Sequence, residues 1–174
     1  MKSPVIILFL FSWAQAWGQV IHIQEVYKTV DTCKLAVDIF YKKETLEKED
    51  NTAIVFFHGG RWAFGTPGEF FITCERYSRM AIVAFSVDYH LSVKNGDVPH
   101  PTISPIESVM DAKSAMRWMR GNAAKFHIDR KKIVAAGQSA GGHLALATTR
   151  YSRYFDDEIL EVADSFLRKH NLLD

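Results

Sequence analysis

The sequence predicts an α/β fold, a mostly parallel sheet with helices on both faces, and three observations carry that expectation. Apolar runs at Ala53 to Phe57, Ala81 to Val87 and Ile133 to Ala136 have the length and content of buried strands, the first of them continuous and in the pattern of burial on both faces. Stretches of helical spacing separate them, from Pro67 to Met80 and from Ser104 to Phe126, and strands alternating with helices build parallel sheets whose carboxyl-end loops gather into a site. Two of the runs end in glycine-rich turns, His58-Gly59-Gly60 and Gly137-Gln138-Ser139-Ala140-Gly141.

The chain of 174 residues starts with Met1-Lys2, an apolar core from Val5 to Phe11 and the small-x-small sequence Ala14-Gln15-Ala16. This is the layout of a secretory signal peptide over residues 1–18, cut after Ala16 or Gly18. The apolar run is far shorter than the ~20 residues of a membrane span. A secreted or periplasmic product, free of the membrane after cleavage, is therefore expected. Residues 19–174 then form one domain, long enough to bury a core. With a formal charge of +1, one unit of which is Lys2, the chain has no basic field for nucleic acid. Its two cysteines, Cys33 and Cys74, fit neither a disulfide framework nor a metal-ligand spacing, and both read as buried thiols. No metal or organic cofactor is implied, and oligomeric state is open.

Ile21 to Tyr27 and Cys33 to Tyr41 alternate with period 2 around Asp31-Thr32, which predicts an opening antiparallel pair. The charged stretch from Lys42 to Asn51 reads as a solvated connection to the first buried strand. The helix from Pro67 to Met80 completes one strand-helix-strand crossover. Lys94 to Asp97 and the prolines at 99, 101 and 105 mark an irregular loop bearing His100. Val109, Ala112, Met116 and Met119 recur at helical spacing while Asp111, Lys113, Arg117 and Arg120 fall elsewhere, so the next helix covers the sheet with one face. Trp118 and the methionines belong to the core on this reading.

The decisive stretch is Gly137 to Gly141, which fits G-x-S-x-G. Alone that pattern is weak. Here a buried strand precedes it and a helix from Gly142 follows, which would expose the Ser139 hydroxyl on a sharp turn where a base and N–H donors can reach it. The His58-Gly59-Gly60-Arg61-Trp62 loop follows a second buried strand, and glycines there let backbone N–H groups face a pocket. A P-loop reading fails because Gly137 to His143 lacks the lysine that would reach a phosphate.

With Val87-Asp88-Tyr89-His90-Leu91 and Asp129-Arg130-Lys131-Lys132-Ile133, these motifs make roughly Cys33 to Thr149 resemble the N-terminal part of an α/β-hydrolase. The type resembled is that of carboxylesterases and hormone-sensitive lipase, with bacterial feruloyl and acetyl-xylan esterase relatives. The resemblance implies a serine ester hydrolase with Ser139 as nucleophile and the N–H groups of Gly60, Arg61 and Ala140 as oxyanion donors, supported by His58 and Gly59. Val87 to Leu91 stands where the family carries a Y-R-L segment. Arg61 stands where many relatives have a third glycine, and Gln138 where they have an acid. A backbone donor survives any side chain except proline, so the first departure is tolerable. H-G-G-x-W is also similar to the arylformamidase branch, which makes an arylformamide the second substrate class. Secretion favours an extracellular acyl ester.

In this fold the acid and the histidine of the triad follow the serine on later strands. After Ser139 the sequence reads as the elbow helix and a second helical pattern with no strand signal, so an incomplete domain with the C-terminal strands of the fold missing is expected. Asp156, Asp157 or Asp164 with His170 would satisfy the order but lack strands to aim them. His143 reads as structural, His127 as a surface turn, and His22 and His90 as strand ends. The alternative is therefore a truncated, non-catalytic fragment or binding module of the same fold.

Overall fold

The computed structural model describes residues 18–92, 105–148 and 169. The alternating opening segments are β1 (Val20–Val30) and β2 (Cys33–Lys42), paired antiparallel from Val20↔Lys42 to Val30↔Cys33. β3 (Asn51–Phe57) and β4 (Val83–Val87) are buried throughout, whereas β5 (Ile128–Gly137), last in the strand order, is buried only at Ile128 and from Ala135 to Gly137, with Ile133 and Val134 half-buried. They complete one sheet in the order β1-β2-β4-β3-β5. The sheet is mixed: β2 meets β4 antiparallel, while β3 pairs parallel with both β4 and β5. Ala53↔Val83 through Phe57↔Val87 and Ala53↔Ile133 through Phe57↔Gly137 bring the three strands to their carboxyl ends side by side.

Every residue of β3 is buried, the polar Asn51 and Thr52 as well as the apolar run Ala53 to Phe57. Ala53, Val55 and Phe57 join Val83, Phe85 and Val87 in a cluster closed by Ala112, Met116 and Met119 of α2 (Pro105–Gly121) and Leu144 of α3 (Ala140–Thr148). Ile54, Phe56 and Ala84 face the other way, against Cys74 and Tyr77 of α1 (Phe71–Arg79). Helices thus cover both faces. Each large apolar side chain withdrawn from water contributes about 1.5–3 kcal/mol, which makes β3 the best-anchored element of the sheet.

Several elements differ from expectation for local reasons. The segment from Pro67 to Met80 is a 3₁₀ turn (Pro67–Phe70) followed by α1, because Thr66 and Glu69 close a capping box around Pro67. β4 begins at Val83 instead of Ala81, since Ala81 takes φ 61° and ends the helix in a turn, with the Ile82 N–H on the Tyr77 carbonyl. The helix expected to reach Phe126 stops at Gly121; a 3₁₀ turn (Ala123–Phe126) and a left-handed His127 lead into β5. The charged connection is not wholly solvated: Thr45 is buried, and the buried Asn51 amide donates to the Thr45 and Lys48 carbonyls at 2.8 and 2.9 Å. Cys33 is exposed where β2 leaves the turn at Asp31-Thr32, so only Cys74 is a buried thiol, and both are free. Trp118 is half-buried against the core, but Met110 is 56% exposed.

A buried ion cluster ties the layers together. Asp111 of α2 accepts from Lys28 Nζ of β1 at 2.5 Å, and its other oxygen accepts from the His90 N–H and Nδ1 at 2.9 and 2.7 Å. The segment leaving β4 is thereby fastened to a helix and a strand at once.

Residues 1–17 of the expected leader, the loop with His100, and the residues from 149 on apart from Lys169 lie outside the described residues. So do Asp156, Asp157, Asp164 and His170. No helix among the described residues is long and apolar enough to cross a membrane.

Candidate active site

β5 delivers its chain to the sheet's carboxyl edge, and the backbone must there reverse into α3. Ser139 occupies the bend at φ 51°, a left-handed conformation that non-glycine residues seldom adopt, and it is exposed. The bend is tight. A Cβ on Gly137 would lie 2.4 Å from the Gly141 carbonyl carbon, and one on Gly141 would lie 1.9 Å from the Phe57 oxygen. The two glycines of the motif are therefore required by backbone approach on both sides of the serine. The Gly141 N–H to Gln138 carbonyl (2.8 Å) and the His143 N–H to Ser139 carbonyl (3.2 Å) start the helix.

β3 runs beside β5, so its terminal loop arrives at the same edge. A Cβ on Gly59 would sit 3.3 Å from the Gln138 oxygen and 3.8 Å from the Ser139 Cβ. The two glycine motifs thus meet, as their position after neighbouring parallel strands implies. Gly60 takes φ 105° and Arg61 and Trp62 take 55° and 60°. The Gly60 carbonyl is turned to accept from the Ala63 and Phe64 N–H groups at 2.9 and 3.0 Å. Among the described residues, no hydrogen bond is formed by the N–H groups of Gly60, Arg61 or Ala140. Arg61 is exposed, Ala140 buried and Gly60 between.

His58 is fully buried, its ring stacked on Tyr89 at 4.2 Å and 15°. Nδ1 lies 2.9 Å from the Gly59 carbonyl, which only an N–H can satisfy, so the proton is on Nδ1 and Nε2 is the bare nitrogen. Burial pushes the His58 pKa below its ordinary value and the ring is neutral. Trp62 meets His143 edge-on at 5.4 Å, and its carbonyl accepts the Ser92 N–H at 2.7 Å. His22 pairs with Asp38 at 2.7 Å, His90 with Asp111 and His127 with Glu49 at 3.1 Å. None of the described histidines hydrogen-bonds the Ser139 hydroxyl through its ring. No group of three metal-ligating side chains occurs among the described residues.

Sequence reasoning placed Tyr89 in a family-like segment but missed its place at the site. Its hydroxyl donates to the His58 carbonyl at 2.7 Å and lies 3.2 Å from that of Gly59. The available signal was its position just past a fully buried strand, where a phenol must find a polar partner.

A serine raised on a left-handed bend between a parallel strand and a helix, met by a glycine loop from the adjacent strand, defines an α/β-hydrolase. Within that fold the chain belongs to the BD-FAE family, whose model matches residues 37–170. It is 29% identical over 126 residues to esterase LipC of Mycobacterium tuberculosis (strain ATCC 25618 / H37Rv), an alignment covering 72% of this chain and 29% of that protein. It is 33% identical over 109 residues to an arylesterase of Saccharolobus solfataricus, covering 62% of this chain and 33% of that one. Among solved structures, Thermogutta terrifontis esterase 2 phosphorylated by paraoxon aligns with a TM-score of 0.65 at 38% identity, over 71% of this chain and 45% of that one. The native form of the same esterase aligns over 84% and 50%, at 35% identity and a TM-score of 0.65. The chain spans about a third of these curated relatives and about half of the solved esterase.

Proposed function

We propose that this chain carries the nucleophile and oxyanion-binding part of a carboxylic ester hydrolase. Ser139 attacks an acyl carbonyl; its proton leaves to a base, the alcohol departs, and water later releases the acid. The oxyanion formed in each step is held by the N–H groups of Gly60, Arg61 and Ala140, with His58 and Gly59 shaping the loop. The observation that carries this reading is the close approach of the Gly59 loop to the bend where Ser139 is exposed and left-handed, a Cβ on Gly59 falling 3.8 Å from that of Ser139. The esterase relatives support it, and the chain's likeness to an esterase phosphorylated by paraoxon supports a nucleophilic serine. The leader supports an extracellular acyl ester as substrate, with an arylformamide as the second class.

The second reading, a non-catalytic fragment or binding module, has one observation in its favour: no described histidine ring hydrogen-bonds the Ser139 hydroxyl. Hydrolysis of short-chain p-nitrophenyl esters separates the two. The ester-hydrolase reading expects turnover that Ser139→Ala abolishes, and activity unchanged by that substitution establishes the other. Secretion is tested independently by the N-terminus of the mature protein, expected at Trp17 or Gln19; a chain still starting at Met1 refutes it.

A further inference from the structure

The N–H of Gly60 is useful to an oxyanion only if it faces the cleft, and nothing in its own sequence makes it do so. Gly59 and Gly60 share a planar trans peptide, in which the carbonyl and the N–H point in opposite directions. Fixing the Gly59 carbonyl on one side of the loop therefore fixes the Gly60 N–H on the other. The groups on the carbonyl side are His58 Nδ1 at 2.9 Å and the Tyr89 hydroxyl at 3.2 Å. The peptide before it is held in the same way, since the Tyr89 hydroxyl donates to the His58 carbonyl at 2.7 Å.

We propose that Tyr89 is a positioning residue of the oxyanion loop: through its hydroxyl and the stacked His58 ring it locks two consecutive peptide planes so that the Gly60 N–H is presented to the substrate oxygen. One phenolic proton cannot satisfy both carbonyls fully. The division is clear from the distances, with His58 O taking the phenol and Gly59 O taking the imidazole N–H. Stacking at 4.2 Å sets the tilt of the imidazole, so removing the hydroxyl loosens one plane directly and the second through the ring. Tyr89 is itself immobilised, 1% exposed, with its own N–H on Asp88 Oδ1 at 2.9 Å. Burial and the carboxylates of Glu69 and Asp88 raise its pKa, which keeps the phenol a donor. His58 is held neutral by burial, and its bare Nε2 is buried with no hydrogen-bond partner among the described residues. An imidazole kept there at the expense of an unpaired nitrogen is explained by what Nδ1 does.

The proposal rests on Ser139 being the nucleophile, and its test separates the two claims. Wild type, Tyr89→Phe and Ser139→Ala, all as the full chain, are treated with a fluorophosphonate while the adduct is followed by intact mass; backbone amide spectra are recorded in parallel. Tyr89→Phe is expected to lower the limiting phosphonylation rate about tenfold with the half-saturating concentration unchanged, less than the 10²–10³ of losing an oxyanion donor outright. The Gly60 amide resonance is expected to shift or broaden while those of Ala53 to Phe56 stay. A folded Tyr89→Phe with the wild-type limiting rate and an unmoved Gly60 resonance overturns the proposal. If wild type forms no Ser139 adduct, the nucleophile reading fails and the Gly60 resonance alone decides the Tyr89 claim. If Tyr89→Phe does not fold, nitrogen spectra of His58 in the wild type decide it: the Nδ1–H tautomer supports the lock and the Nε2–H tautomer overturns it.

Discussion

At the residue scale, close backbone approach explains why particular positions hold glycine. A side chain at Gly141 collides with the Phe57 and His58 carbonyls at 1.9 and 2.5 Å, the first held by the pairing of β3 with β5 and the second by the Tyr89 hydroxyl. Gly141→Ala should therefore cost about 3 kcal/mol or more. Gly121, with nothing within 4 Å of its added Cβ, is the control. Gly121→Ala at the end of α2 should change stability by less than about 1 kcal/mol in the favourable direction. Urea unfolding of the two variants measures both. His58 adds a pH dependence. Its folded pKa is below the ordinary ~6.5, so beneath that pH the unfolded chain binds a proton that the native chain does not. Stability should be constant above pH ~6.5 on this account and fall as the pH drops from there to the folded pKa. In His58→Asn that part of the slope should vanish, which urea midpoints at pH 7.5 and 5.5 will show.

The elements were legible in the sequence to the extent that their cause is local. Alternation marked β1 and β2, apolar runs marked β3, β4 and the inner part of β5, and the two glycine motifs marked the bends that follow β3 and β5. Boundaries failed where a single residue overrides the pattern, as Ala81 and His127 do by turning left-handed. The exposure of Cys33 could not be read from composition, because it depends on where β2 emerges from the sheet. Contacts between distant segments were likewise invisible: nothing near Asp111 in the chain announces Lys28 or His90. This cluster sets an element-scale expectation. Asp111→Ala leaves the half-buried Lys28 ammonium without its carboxylate and unfastens α2 from β1 and from the segment after β4, and should cost about 3–5 kcal/mol. Lys28→Ala should cost less, since His90 still satisfies one carboxylate oxygen. Chemical denaturation of the two variants ranks them.

For the whole molecule, the sheet order places function. Parallel β4-β3-β5 puts the ends of β3 and β5 side by side, while antiparallel β1 and β2 extend the sheet away from the site. From the sequence, the order of strand, bend and helix implied that the His58 loop and Ser139 share an edge; the register Phe57↔Gly137 is what brings Gly59 against Ser139. The triad acid and base had no legible position, and none of the described residues fills either place. The central claim is that Ser139 is a nucleophile presented by this scaffold. Its most direct measurement is peptide mapping of the folded chain after exposure to a fluorophosphonate. The account predicts one adduct, on Ser139, absent from Ser139→Ala; a folded chain that takes up no reagent, or takes it up at another residue, contradicts it.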